Sequence, residues 1–283
     1  MSIDAGTAVG GVHLRVSDLE RSLAFYEHVL GLDVLSRGDG RAALGVNGRA
    51  LVTLRVLPNA VPRPRHTTGL YHFAILVPDR AALGHALARM VAARWPLQGA
   101  SDHGVSEAIY LGDPDGLGIE VYRDRARAEW PHDAEGLAMV TEPLDLRALL
   151  DEVLPAGEVP AKVAPGTRMG HVHLQVRDLD EAERFYHGAL GFDVMQRMRP
   201  SALFVSAGGY HHHVGLNTWG VAGAPAQPDT APGLDYVEFV LPSAAALERT
   251  RGAIAARQVA LEARDGGWLA RDPSSNAVLV TAA

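Results

Sequence analysis

Three consecutive histidines, His211, His212 and His213, stand inside the stretch AGGYHHHVGLNTW at residues 207–219. A neutral imidazole binds transition metals, and one that titrates near pH 7 can take up a proton and return it. The run lies deep in the chain, between Gly208–Gly209 on one side and Val214, Leu216 and Trp219 on the other. That context predicts a strand entered through a turn. Side chains alternate faces along a strand, so His211 and His213 should share one face and His212 take the other. At most two of the three could then address one site. The chain has 13 His and no Cys. Thiolate metal sites, disulfides and a cysteine nucleophile are therefore excluded, and the composition fits the cytoplasm.

The elements that must position these imidazoles are visible as an internal repeat. Residues 12–34, VHLRVSDLERSLAFYEHVLGLDV, and residues 172–194, VHLQVRDLDEAERFYHGALGFDV, match at 12 of 23 positions. Each copy opens with an alternating strand. A helix start follows: Ser17 and Glu20 have capping-box spacing, and Asp178 can cap the second copy. Leu19, Leu23, Tyr26 and Leu30 form an apolar helical face. Gly31 and Gly191 stand where a helix ends. A weaker pair, GLYHFAILVPDRAAL at 69–83 and GLDYVEFVLPSAAAL at 233–247, repeats the same opening. YLGDPDGLGIEVY at 110–122 and LARDPSSNAVLVT at 269–281 repeat its close. The chain reads as four βαβββ modules near 8–57, 68–123, 167–219 and 232–283, an α+β arrangement. Modules one and two form an N-terminal domain, 8–123, and modules three and four a C-terminal domain, 167–283. The segment 124–166 links them, with a short helix signal at 143–153.

Composition narrows the partners. Lys+Arg 26 against Asp+Glu 33 gives a net charge of −7 without a basic block, which argues against nucleic acid. No apolar run approaches the ~18 residues of a membrane span, and no secretory signal is visible.

The four-module pattern resembles the vicinal oxygen chelate superfamily, which includes glyoxalases, bleomycin resistance proteins and extradiol dioxygenases. The resemblance covers nearly the whole chain. It implies curved sheets formed by paired modules, with a divalent metal held in the cup by residues of first and last strands. The implied ligands are His72 in LYHFAIL, Glu120 in GIEVY and His171 in MGHVHLQV. At the matching positions the first and fourth modules hold Gly11, Tyr236 and Leu279. Modules two and three should therefore furnish one cup and leave the other without a metal. A rival set within the first half, His13, His72 and Glu120, stays open.

Two imidazoles and one carboxylate form a facial triad with three open positions, suited to Fe(II), with Mn(II) as the alternative. The third module has no Asp or Glu between Ser201 and Trp219 to serve as a fourth ligand. Three open positions would accept both oxygens of a catechol and O2, so the resemblance is closest to bacterial single-chain catechol 2,3-dioxygenases, enzymes of aromatic hydrocarbon catabolism. In such enzymes a tyrosine and a P-x-G turn precede the glutamate, as Tyr110, Pro114 and Gly116 do here. His103 is similar to an outer histidine of the family. YHHHV is similar to its acid–base histidine pair, which implies His213, then His212, in that role. The family order differs, because its catalytic modules sit here as three and two. The expected partners are a small aromatic diol and O2, with a homodimer as the base-rate assembly. Competing readings are a glyoxalase-like lyase or isomerase and a non-enzymatic binder of aromatic drugs.

Overall fold

The structure, a computed structural model, describes residues 2–134, 136–154 and 157–283. Its architecture is α+β, and each module runs strand, helix, then three strands. By compactness the chain divides into two units. One comprises Met1–Arg15, Val61–Tyr71 and Gly170–Ala283, the other Val16–Ala60 and His72–Met169.

In the second of these units the helix Leu19–His28 is capped by Asp18, whose side chain accepts the Arg21 N–H at 3.0 Å. The capping box expected from Ser17 does not form. Ser17 is engaged by Asp115 instead, through both its N–H and its hydroxyl. Gly31 ends the helix at φ +80°, a conformation that costs glycine little. Strands Asp33–Gly38, Arg41–Val46 and Arg49–Val56 follow as an antiparallel meander. The strand Gly69–Leu76 contributes its part from His72 onward and runs parallel to Gly118–Asp124. That strand in turn pairs antiparallel with Ser106–Gly112, which pairs with Leu97–Asp102. Parallel strands need a crossover connection, and the helix Arg80–Ala92, capped by Asp79, lies in the chain between them. The segment 124–166 is more than a tether. Its helix Leu146–Asp151 lies close enough to the helix Arg80–Ala92 that a Cβ on Gly84 would meet the Leu149 carbonyl at 2.9 Å. The Arg89 guanidinium donates to the carbonyls of Leu30, Pro160 and Lys162.

In the other unit, Ala8–Val16 pairs antiparallel with Gly233–Leu241, which runs parallel to Ala277–Ala282. Gly267–Arg271 and Glu262–Arg264 complete that set. Arg168–Gln175 runs parallel to Val214–Asn217, followed by Ala202–Ser206 and Asp193–Met198, both antiparallel. Asp178 caps the helix Leu179–Glu183 as expected, and Gly191 stands at φ +88°.

The duplication extends to a buried strut. The Tyr26 hydroxyl donates to Asp113 Oδ2, and the Tyr186 hydroxyl donates to Asp272 Oδ2, both at 3.1 Å. Each aspartate opens a DP turn and accepts two backbone N–H bonds on Oδ1 at 2.8 Å. The helix of one module is thus tied to the turn that starts the last strand of another. Burial pushes the Asp113 carboxyl up to about 6, and pushes Asp272 upward as well.

Candidate metal centre

The parallel pairing of first and last strands sets the centre. In register, His72 lies opposite Gly118 and Ala74 opposite Glu120. Alternation then puts His72, Ala74 and Glu120 on one face. His72 is 6% exposed and Glu120 3%, and His72 Nε2 lies 3.0 Å from Glu120 Oε2. Two small residues on that face, Ala74 and Ala108, pack with Leu76, Tyr122 and the partly buried Tyr110. Tyr110 is the direct cross-strand neighbour of Glu120, and its ring centre lies 5.6 Å from that of His72.

Behind Tyr110 the proton positions follow from the partners. The Val140 carbonyl can only accept, so His103 donates to it from Nδ1 at 2.7 Å. Its Nε2 is then the acceptor for the Tyr110 hydroxyl, also at 2.7 Å. His103 thus fixes where the phenol proton points.

His171 is 1% exposed on the strand Arg168–Gln175. Its ring centre lies 4.1 Å from that of His212 and 6.0 Å from that of His211. The two neighbours are joined by an Nδ1···Nδ1 hydrogen bond of 2.8 Å. His213 turns elsewhere. Its Nδ1 accepts from the Ala207 N–H at 3.1 Å and lies 2.9 Å from Ser206 Oγ, so its proton sits on Nε2. The alternation expected for the run therefore fails. The strand begins only at Val214. Before it, Gly208 and Gly209 adopt φ of +60° and +67°, and residues 211–213 form a bend rather than regular strand. Adjacent His211 and His212 consequently both reach His171. The sequence signal for His211 was the extra histidine in the run. Nothing in it marked Phe204, whose ring meets that of His212 at 5.1 Å.

Among the described residues, one group of His, Asp or Glu side chains offers three donor atoms close enough to share a cation. It consists of His72, Glu120 and His171, all buried, with those atoms within 4.8 Å of one another. Two imidazoles with one carboxylate is a donor set that fits a divalent first-row metal. His13, the rival, instead stacks on Tyr236 with ring centres 3.9 Å apart and planes at 16°.

The model of the glyoxalase/bleomycin resistance protein/dioxygenase superfamily matches residues 8–121 and 168–271. The chain belongs to this superfamily. Catechol-2,3-dioxygenase of Bacillus subtilis (strain 168) is 46% identical over 283 residues, covering 98% of each chain. The resemblance expected from the sequence is thereby borne out. Superfamily architecture is shared with glyoxalase I of Zea mays, at 16% identity and a TM-score of 0.59 over 97% of this chain and 92% of that one. It is also shared with the cppA protein of Streptococcus pneumoniae TIGR4, at 12% identity and a TM-score of 0.56 over 97% and 100%. No helix among the described residues is long and apolar enough to cross a membrane.

Proposed function

We propose that the protein is an extradiol ring-cleaving dioxygenase, which inserts both atoms of O2 into a catechol-type diol with Fe(II) held by His72, Glu120 and His171. The observation that carries this reading is the buried group of two imidazoles and one carboxylate. Fe(II), when bound, would join an electron-rich ring to O2, and Mn(II) could stand in for it. Everything else falls to side chains. Tyr110 accepts a hydrogen bond from the substrate hydroxyl while its own proton is held by His103. His103 holds that phenol in place and offers a donor at the edge of the site. His212 is the acid–base group, because its ring packs on that of His171 and its Nδ1 is hydrogen-bonded to His211 Nδ1, which holds the ring in place. His213, the first choice from the run, is assigned instead to holding the 207–213 bend.

In the domain reading, 8–123 and 167–283 are the duplicated halves joined by 124–166, and the two matches to the superfamily model support it. The protein is placed in the cytoplasm, as a homodimer without nucleic-acid or membrane partners, by the cysteine-free composition, mixed charge and base rates alone.

Metal content and turnover test the assignment together. Anaerobically loaded wild type should bind iron and convert catechol to a yellow ring-fission product. His171→Ala should lose both, with metal affinity falling more than the ~10–100-fold typical of outer-sphere changes, while His13→Ala keeps its metal. The reverse pattern would move the site to the first half. Tight Zn or Ni binding with no product from any catechol would instead favour the lyase or isomerase reading.

A further inference from the structure

A cavity of about 410 Å³ lies against the DP turn at 271–276, with its whole lining in one compact unit and none of His72, Glu120 or His171 among it. Its volume falls in the ~300–1,000 Å³ range of small-molecule sites. The repeat supplies a comparison for its chemistry. Arg271, Ser274, Asn276 and Arg15 stand where the equivalent positions of the repeat hold Gly112, Asp115, Leu117 and Gln175. Two arginines are gained there and a carboxylate is lost. Asp115, in its own turn, is taken up by Ser17 and Arg21. The two turns are built alike, since Asp113 and Asp272 each accept the same pair of backbone N–H bonds. The copies therefore differ here in side chains rather than in backbone.

The groups lining the cavity are held in place. Arg271 donates to the Ser275 carbonyl at 3.3 Å and forms no ion pair among the described residues. Arg15 is 5% exposed. Its guanidinium donates to the carbonyls of Leu234 at 2.8 Å and Ala231 at 3.4 Å, with Asp235 at 3.5 Å and Asp229 at 3.6 Å. Asp229 is the one carboxylate in the lining, and its side chain is 82% exposed to water. Asn276, 5% exposed, uses both amide hydrogens, on Asp272 Oδ2 at 3.0 Å and on the Gln175 carbonyl at 3.3 Å. Its Oδ1 is left as an acceptor. The facing wall is fixed through Gln227, whose Nε2 donates to the Pro232 carbonyl. That amide sits between Gly69 and Gly233, where a Cβ would meet it at 2.9 and 2.5 Å. Groups ordered in advance lower the entropy cost of binding.

We infer that this cavity is a second ligand site, for a small organic anion with a phosphate or carboxylate head on a hydroxylated body. The head lies against Arg271, whose charge is not offset by a neighbouring carboxylate, with Arg15 beside it. A guanidinium suits either oxyanion, because its N–H groups form paired, charge-assisted hydrogen bonds. A hydroxyl of the body donates to Asn276 Oδ1. A neutral catechol brings no charge to two arginines, so the ligand differs from the diol of the proposed reaction. The site goes beyond the dioxygenase reading and does not depend on it.

Calorimetric titration of the iron-loaded chain with glycerol phosphate, glycerate and glycerol tests the site. Wild type should bind at least one of the two anions saturably, with a Kd of about 1 mM or tighter, and glycerol roughly ten-fold more weakly or not at all. The preferred anion identifies the head as phosphate or carboxylate. Arg271→Ala should weaken that anion roughly ten-fold or more, the worth of a hydrogen bond to a charged group, and Arg271→Lys should weaken it less. Ser275→Asp, which returns a carboxylate to the turn, should abolish binding. Both positions are exposed, and Asp tolerates the φ of +69° at Ser275, so iron content should not change in these variants. His171→Ala, expected to lack the metal, should bind the anion as wild type does. Loss of binding in that variant would place the anion on the metal and overturn the second site. Absence of anion binding by wild type, equal binding of glycerol, or unchanged affinity in Arg271→Ala would each overturn it as well.

Discussion

At the scale of single residues, neighbours decide roles that residue type leaves open. The chain has thirteen histidines, and those around the centre do different work. His72 and His171 join Glu120. His103 orients a phenol, His13 stacks on Tyr236, and His213 accepts a backbone N–H. The acid–base role separates His212 from His213 sharply. Removing a general acid or base costs about 10²–10⁴-fold in rate, so His212→Ala should lower kcat by that order at unchanged metal content. His213→Ala should lower kcat far less and act mainly on stability. Steady-state kinetics with metal analysis checks both, and equal loss of kcat in the two variants would contradict the assignment. The grouping was legible in the sequence because His72 and His171 stand in the first strands of modules two and three and Glu120 in the last strand of module two. The register of the histidine run was not. Strand periodicity describes residues inside a paired strand, and the left-handed conformations of Gly208 and Gly209 carry the chain into Val214 along a bend.

At the scale of elements, helix, turn and last strand are joined by the paired struts, Tyr26 with Asp113 and Tyr186 with Asp272. The Asp113 carboxyl, raised from 3.8 to about 6 chiefly by burial, binds a proton more tightly in the folded chain than in the unfolded one. Its contribution to stability is therefore complete below about pH 4 and is lost as pH rises through about 6. At about 1.4 kcal/mol per pKa unit, the loss is of order 3 kcal/mol. Relative to Asp113→Asn, which does not titrate, wild type should weaken by that order between pH 4 and 6 in urea unfolding. A difference that stays constant across the window would contradict it. The helices and their glycine ends were readable from caps and apolar spacing. The cap itself shifted from Ser17 to Asp18 because Asp115, distant in sequence, claims Ser17. Docking of 124–166 through Arg89 was equally invisible, since its three acceptors are backbone carbonyls, which no residue type announces.

At the scale of the whole molecule, duplication produced four similar modules and, on this account, one catalytic centre. The positions matching the ligands in modules one and four hold Gly11, Tyr236 and Leu279, and Tyr236 is committed to His13 and Asp265. Iron titration should therefore saturate at about one per chain, with ligands of the type that favours Fe(II). Saturation at two would mean that the second cup also binds. The fold class was legible because the repeat appears directly in residue identities, whereas the division into compact units depends on packing between segments far apart in sequence. The most direct test of the central claim is the fate of isotopically labelled O2 in a single turnover of iron-loaded enzyme with a catechol. The account predicts a ring-opened product carrying both labelled oxygen atoms. A product carrying one label or none would contradict it.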